Sequence, residues 1–250
     1  MSKVSRVQLA VILGFAALLE LLTRAGAIDR LTMIPPSAMA AHLWKMLIDG
    51  ELNAAMAQTF ANVAIAFALS VVAGFASGVA IHGVPRLRRL CDPLLASYYA
   101  VPFFVFYPLL IAIFGLNRWP LIAIGFVFGA AAMVIATLNG LDRVPRVLRK
   151  IARAHDLGLV DEIFLVVLPA AAPYLFTGLK LSLAYSFIGV IAGEFILSGS
   201  GLGHAIAYAY DSFDNPTMYA LMLFVVALAI VLNATLHIWE QRLIARRRRQ

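Results

Sequence analysis

Residues 139–169 read NGLDRVPRVLRKIARAHDLGLVDEIFLVVLP, and the way this stretch sits in the chain decides the fold. It is a polar, basic interruption between long apolar runs. Arg143, Arg146, Arg149, Lys150 and Arg153 are five of the chain's 20 Lys and Arg. A basic loop between apolar spans faces the cytoplasm. Helix-forming residues fill it, and it ends on Leu168-Pro169 as the next apolar run begins. Connections inside compact domains are usually a few residues long. A loop of this length and charge fits a segment that a cytosolic partner grips.

Outward from it, the composition is that of a membrane protein. Hydrophobic residues make up 62% of the 250-residue chain and charged residues only 13%, with a mean hydropathy of +0.89. Soluble domains carry roughly twice that charged fraction. A hydrocarbon core needs about 20 apolar residues per helix. Six runs are read as spans: residues 7–22, 54–81, 94–116, 119–138, 170–197 and 218–239. The expected fold is therefore an all-α integral membrane protein of about six transmembrane helices in one domain, residues 1–250. The first run is short, holds Glu20, follows Lys3 and Arg6, and precedes Ala25-Gly26-Ala27. It is read as an uncleaved anchor rather than a signal peptide.

The net charge of +7 follows from topology. With the amino terminus inside, fifteen Lys and Arg fall on the cytoplasmic side against four outside, with Lys180 inside a span. That bias places both termini in the cytoplasm. The basic tail from Arg246 to Arg249 is then a solvated end near anionic lipid, and no nucleic-acid partner is expected. The outer connections are residues 35–51, a tight link at Asn117-Arg118, and residues 198–217. In the first, Pro35-Pro36 opens a helix-compatible run, which predicts a short surface helix.

Catalytic signatures are missing. There is no phosphate-binding G-x-x-x-x-G-K-[ST] loop, so the chain is not expected to hydrolyse ATP or to hold a cofactor. The five histidines are scattered, and no metal site is expected. Cys91 stands alone beside a basic loop and reads as an inert thiol.

Four groups of residues resemble the inner-membrane permease subunits of binding-protein-dependent ABC importers, in the nitrate, sulfonate and taurine branch. They are Ile34-Pro35-Pro36-Ser37; the run from Arg86 to Pro93 with Ala100-Val101-Pro102, Pro108-Leu109-Leu110 and Phe114-Gly115-Leu116; the basic loop with Leu168-Pro169, Pro173 and Thr177-Gly178-Leu179; and Glu194-Phe195 with Ser200-Gly201-Leu202-Gly203. The likeness runs over residues 34–239. The loop is similar to the family's E-A-A signature. Ala152, Arg153 and Ala154 stand at the three positions, followed by His155, Asp156, Leu157 and Gly158. The Glu is absent, and the interval from Gly158 to Pro169 is shorter than the family's.

The resemblance implies a type I importer architecture in the bacterial inner membrane. Two permease copies enclose a pathway. Each presents the loop to a cytosolic ATPase subunit, which binds the ATP, and a periplasmic binding protein delivers the solute. The solute implied is a small organic anion such as a sulfonate or taurine, or nitrate. The coupling residues implied are Arg153, Ala154, His155, Asp156, Leu157, Gly158, Leu168 and Pro169. At Gly158 the backbone is expected to turn in a way that β-branched residues resist.

Several residues within the spans are candidates for the pathway. Lys180 and Glu194 share a helix face, yet lie roughly 21 Å apart along the axis. Lys180 is read as snorkelling to the nearer interface. Glu194 is either a carboxylate at interfacial water or a gate. Ser182, Ser186, Gly189 and Gly193 form a small-residue stripe expected beside the pathway. Gly74-xxx-Gly78 and Gly125-xxx-Gly129 read as packing. Pro102 and Pro108 should unwind the third span among its aromatic residues. There Tyr99 and Tyr107 are candidates for solute contact, although most of these rings read as interface or core filling. Two rivals remain. An integral membrane enzyme requires a polar cluster at one depth, and none is found. A secondary transporter predicts internal repeats and more intramembrane acids than Glu20 and Glu194.

Overall fold

A computed structural model describes residues 3–29 and 32–247; the side chains of residues 3–6, 8 and 9, of Tyr99, Arg153, Leu159 and Leu197, and of residues 242–247 lie outside that description. The described residues form helices and connecting turns, with no strand among them. In chain order the helices are α1 (Lys3–Arg24), α2 (Pro36–Ile48), α3 (Asn53–Gly83), α4 (Pro85–Ser97), α5 (Tyr107–Phe114), α6 (Trp119–Asp142), α7 (Arg146–Ala154), α8 (Leu159–Glu162), α9 (Leu168–Leu197), α10 (Leu202–Asp211) and α11 (Asn215–Arg247). Four described stretches are long and apolar enough to cross a bilayer: Asn53–Gly83, Trp119–Asp142, Val160–Ile196 and Asn215–Gln241.

The predicted third span, residues 94–116, is not one helix. It is α4 and α5 joined by two 3₁₀ turns, Tyr98–Ala100 and Phe103–Phe106. Pro102 and Pro108 bring no N–H to an i→i−4 ladder, and two such losses six residues apart favour a break here. The chain leaves helical geometry at Val101 (φ −83°, ψ 120°) and Pro102 (φ −77°, ψ 79°).

The chain divides into two compact units. One comprises residues 59–194 and 231–250 and centres on α6. Small residues let its helices approach closely. Along α3, Ala66, Gly74 and Gly78 meet Gly125, Met133 and Thr137 of α6 in rising order, so the two helices run parallel. On another face α9 runs antiparallel to α6: Gly178 meets Ala136, Ser186 and Gly189 meet Gly125, and Gly193 meets Leu121. A Cβ added at Gly129 would overlap the hydroxyls of Ser186 and Ser70. All three G-x-x-x-G pairs therefore pack helices within one protomer, Gly189-xxx-Gly193 included.

Ions tie the same unit together. Lys180 does not snorkel alone. Its Nζ lies 2.7 Å from Glu240 Oε2 of α11, and both side chains are largely covered. Phe176 meets Trp239 edge-on one turn away. At the end of the unit nearest α7, Asp142 of α6 accepts from Arg88 Nη2 at 3.1 Å and contacts His82 Nδ1 at 3.1 Å.

The other unit comprises residues 1–58 and 195–230. The predicted surface helix is α2, with Pro36 in its first turn. Glu20 of α1 caps it, accepting from the Ser37 N–H at 2.9 Å and the Ser37 hydroxyl at 2.6 Å while holding Arg24 at 2.5 Å. The one acid in the first apolar run thus serves the start of the next helix.

Candidate functional site

The basic loop folds as a helix with a defined exit. Pro145 precedes α7, which ends at Ala154. The chain then turns through Asp156 at φ 52°. The Leu157 N–H reaches back to the Ala152 carbonyl at 3.1 Å, closing a C-cap. Asp is one of the few side chains that enter this left-handed region readily. The expectation for Gly158 is corrected accordingly: its φ is not left-handed, and a Cβ there would meet only Asp161 Oδ2 at 3.7 Å. Its carbonyl opens α8 by accepting from Glu162.

Beyond α8 the ladder widens into a π turn at Ile163–Val167, in which the Leu168 N–H returns to Ile163. Pro169 and Pro173 supply no N–H immediately afterwards, so this is where the register has to change. α7 lies on that turn. Its Ala152 is buried, and the neighbouring Val144 packs with Leu141, Val167 and Ala171. Arg143 donates to the Tyr174 hydroxyl at 3.0 Å and stacks on its ring. The opposite face of α7 is bare: Val147 is 64% exposed and Ile151 48%. They stand one turn apart among Arg146, Arg149 and Lys150. Arg149 Nε is buried with no acceptor in the protomer. Ala154 at the helix end and His155 and Asp156 beyond it are exposed, Leu157 is half-buried, and Arg153 falls outside the described side chains.

The intramembrane candidates separate into two groups. Glu194, 0% exposed, reaches no interfacial water. Its Oε2 accepts from the Thr59 hydroxyl at 2.8 Å, and its Oε1 lies 3.5 Å from Asn62 Nδ2, so it joins α9 to α3 at the end of this unit far from α7. Thr59 and Asn62 escaped the sequence reading. The signal was present: two polar residues three apart on one face of an apolar span. Ser182 and Ser186 are fully buried and donate to the Gly129 and Gly125 carbonyls of α6. They hold a helix seam and border no open space in the protomer.

Glu194→Gln keeps an acceptor for Thr59. It is expected to leave the melting temperature of the purified protein within a few degrees of the parent. Glu194→Ala removes the acceptor of the Thr59 and Asn62 bonds across α3 and α9, at about 1–3 kcal/mol each, and should melt well below both. Equal melting of the Gln and Ala variants would remove Glu194 from the packing account.

In the broken span, Tyr107 is 2% exposed and packs with Leu121 and Ile124, away from any opening. Tyr98 donates to the Val127 carbonyl, and Phe103 and Phe104 pack on Phe128. The Tyr99 side chain lies outside the described residues. Among the described residues no group of His, Cys, Asp and Glu could hold a metal.

The sequence profile of the binding-protein-dependent transport system inner membrane component matches residues 70–250. The nitrate import permease protein NrtB of Leptolyngbya laminosa is 26% identical over 208 residues, covering 80% of this chain and 75% of that one. The bicarbonate transport system permease protein CmpB of Synechococcus elongatus is 27% identical over 251 residues, covering 95% and 88%. The taurine transport system permease protein TauC of Escherichia coli K12 is 26% identical over 209 residues, covering 84% and 73%. Among solved structures, a chain of the inward-facing MetNI methionine ABC transporter superposes with a TM-score of 0.64 at 19% identity, over 74% of this chain and 92% of that one.

Proposed function

The chain belongs to the family of binding-protein-dependent transport system inner membrane components, and from that membership we propose that two copies of it enclose a pathway for a small anion. It is a multi-pass inner-membrane permease subunit of an ABC importer, not an enzyme; the ATPase is a separate subunit. Its partners are that ATPase and a binding protein.

The observation that carries the mechanism is the bare Val147 and Ile151 face of α7. A short helix seated on the protomer at Ala152 and presenting exposed apolar residues is the form a knob takes when it fills a groove in a partner. α7 is that knob, and Arg146, Arg149 and Lys150 around it meet acidic groups on the ATPase. The excess of basic residues at this end supports a cytoplasmic α7 and cytoplasmic termini. The Glu194 end of α9 then faces the periplasm, where the binding protein delivers solute. There Glu194 acts by holding α3 to α9 while the pathway opens and shuts.

The solute class follows from three relatives named for nitrate, bicarbonate and taurine. What these share is a compact oxyanionic group, and nitrate, bicarbonate or a small sulfonate is the class proposed here. Capture by the cognate binding protein across a panel of small oxyanions tests it. Binding of only uncharged or cationic solutes would refute it.

A single copy offers one α7, whereas ATP-driven closure needs a pair of ATPase subunits. The detergent-solubilised complex is therefore expected to weigh two permeases plus two ATPases by native mass measurement. A transporting particle with one of each would overturn the pairing.

A further inference from the structure

The break in the third span has one fastened side and one bare side. The fastened side fixes its depth. Tyr98 bonds to Val127, and the Phe104 ring lies 5.1 Å from that of Phe128. Val127 and Phe128 are the ninth and tenth residues of the 24-residue α6, about 12–14 Å along a helix of about 36 Å. Non-helical backbone therefore stands well inside the hydrocarbon layer. The bare side carries Val101, Pro102 and Val105, of which Val105 is 70% exposed.

Lipid offers no hydrogen bonds, so irregular backbone at membrane depth persists only when buried in protein or bordering water. Within the protomer this side is not buried. We propose that Val101, Pro102 and Val105 border the translocation pathway between the two copies and form its apolar gate. This rests on the importer reading above and adds the place where the pathway is shut.

The chemistry of the face decides between gate and binding site. Val, Pro and Val offer no charge and no side-chain donor, so an anion gains nothing by stopping there. A narrow apolar constriction instead excludes water, and with it any hydrated anion. Solute choice is then made by the binding protein, and this segment sets only open or closed. The pieces on either side are short, α5 having eight residues. A small tilt of them widens or closes the constriction while the aromatic side stays packed on α6.

The test uses the whole complex with ATPase and binding protein, carrying Cys91→Ser and a single Val105→Cys. The probe is the membrane-impermeant sulfonate reagent MTSES. Val72→Cys, exposed on the unbroken apolar helix α3, is the lipid-facing control. Val105→Cys is expected to react, with a rate that changes about tenfold or more between the resting complex and one trapped with ATP and vanadate; Val72→Cys should stay inert. Val105→Cys as inert as Val72→Cys in every state overturns the proposal, as does labelling at one unchanging rate. Oxidative cross-linking of two Val105→Cys copies without any MTSES reaction also overturns it, because it marks a dry seam. Stimulation of ATP hydrolysis by the binding protein is measured first on the Cys91→Ser parent. Its absence would sink the importer reading and leave the labelling to be judged by itself.

Discussion

Ile151→Asp is expected to strip the ATPase from the permease. Ile151 stands half exposed on α7, one turn from Val147, in a helix whose Ala152 is buried against the protomer. A charge placed at the centre of a desolvated apolar contact commonly costs 2 kcal/mol or more, roughly a 30-fold loss of affinity. Both copies carry the change, so the loss is felt twice. The protomer should be little affected, since Ile151 is half exposed in it. The ATPase should fail to co-purify and solute uptake should fall to background, while the permease alone melts as the parent does. Gly158→Ala, at a position with room and no left-handed backbone, should keep normal coupling. Full uptake by Ile151→Asp would take α7 out of the ATPase groove.

Gly129→Val should be the most damaging single change in the membrane region. Gly129 lies where α3 and α9 close on α6. An added Cβ would collide with the Ser70 and Ser186 hydroxyls and stand 2.9 Å from the Ser182 carbonyl. A hydroxyl can rotate away, but a helix carbonyl cannot. Overpacking of this kind costs about 1–3 kcal/mol, occasionally more. Parting the helices also breaks the Ser182 to Gly129 bond at 2.8 Å and weakens the Ser186 to Gly125 bond at 3.1 Å, each worth about 0.6 kcal/mol in a membrane. A combined loss of about 3 kcal/mol should appear as a much lower melting temperature in detergent and poor recovery from membranes. Gly83→Val, where nothing lies within 4 Å, is the control that should melt normally. Equal behaviour of the two variants would mean that the close approach seen at Gly129 is not limiting for stability.

Much of the helical order was legible because bilayer thickness imposes length. Apolar runs of membrane length at 54–81, 119–138, 170–197 and 218–239 became α3, α6, α9 and α11. The interruption at Pro102 and Pro108 was legible too, because a missing N–H is a local fact. What the sequence could not tell was partnership. Ser182 and Ser186 have the composition of a pathway lining, yet they face α6, and only the rotation of α9 decides that. Lys180 lies within a span and looked like a snorkelling cation until α11 brought Glu240 beside it. Glu194 reads as an acid near an interface, whereas Thr59 and Asn62, over 130 positions earlier in the chain, close over it. The basic loop, read as residues 139–169, is cut into at both ends: α6 runs on to Asp142, and the apolar stretch that leads into α9 begins at Val160. Its left-handed turn was assigned to Gly158 because glycine is the usual occupant, and Asp156, the less common one, holds it.

α6 runs unbroken to Asp142, and α7 begins four residues later at Arg146. Phe128, against which the broken span rests, is fourteen residues back from Asp142, about 21 Å along the axis. A stiff rod of that reach works as a crank. In the proposed mechanism, work done on α7 passes the short turn at residues 143–145 and then meets no joint in α6 between Asp142 and Phe128. The third span, by contrast, has already come apart at residues 98–106. If the proposed gate at Val101, Pro102 and Val105 holds, that break is where a pull on α6 would reach the solute.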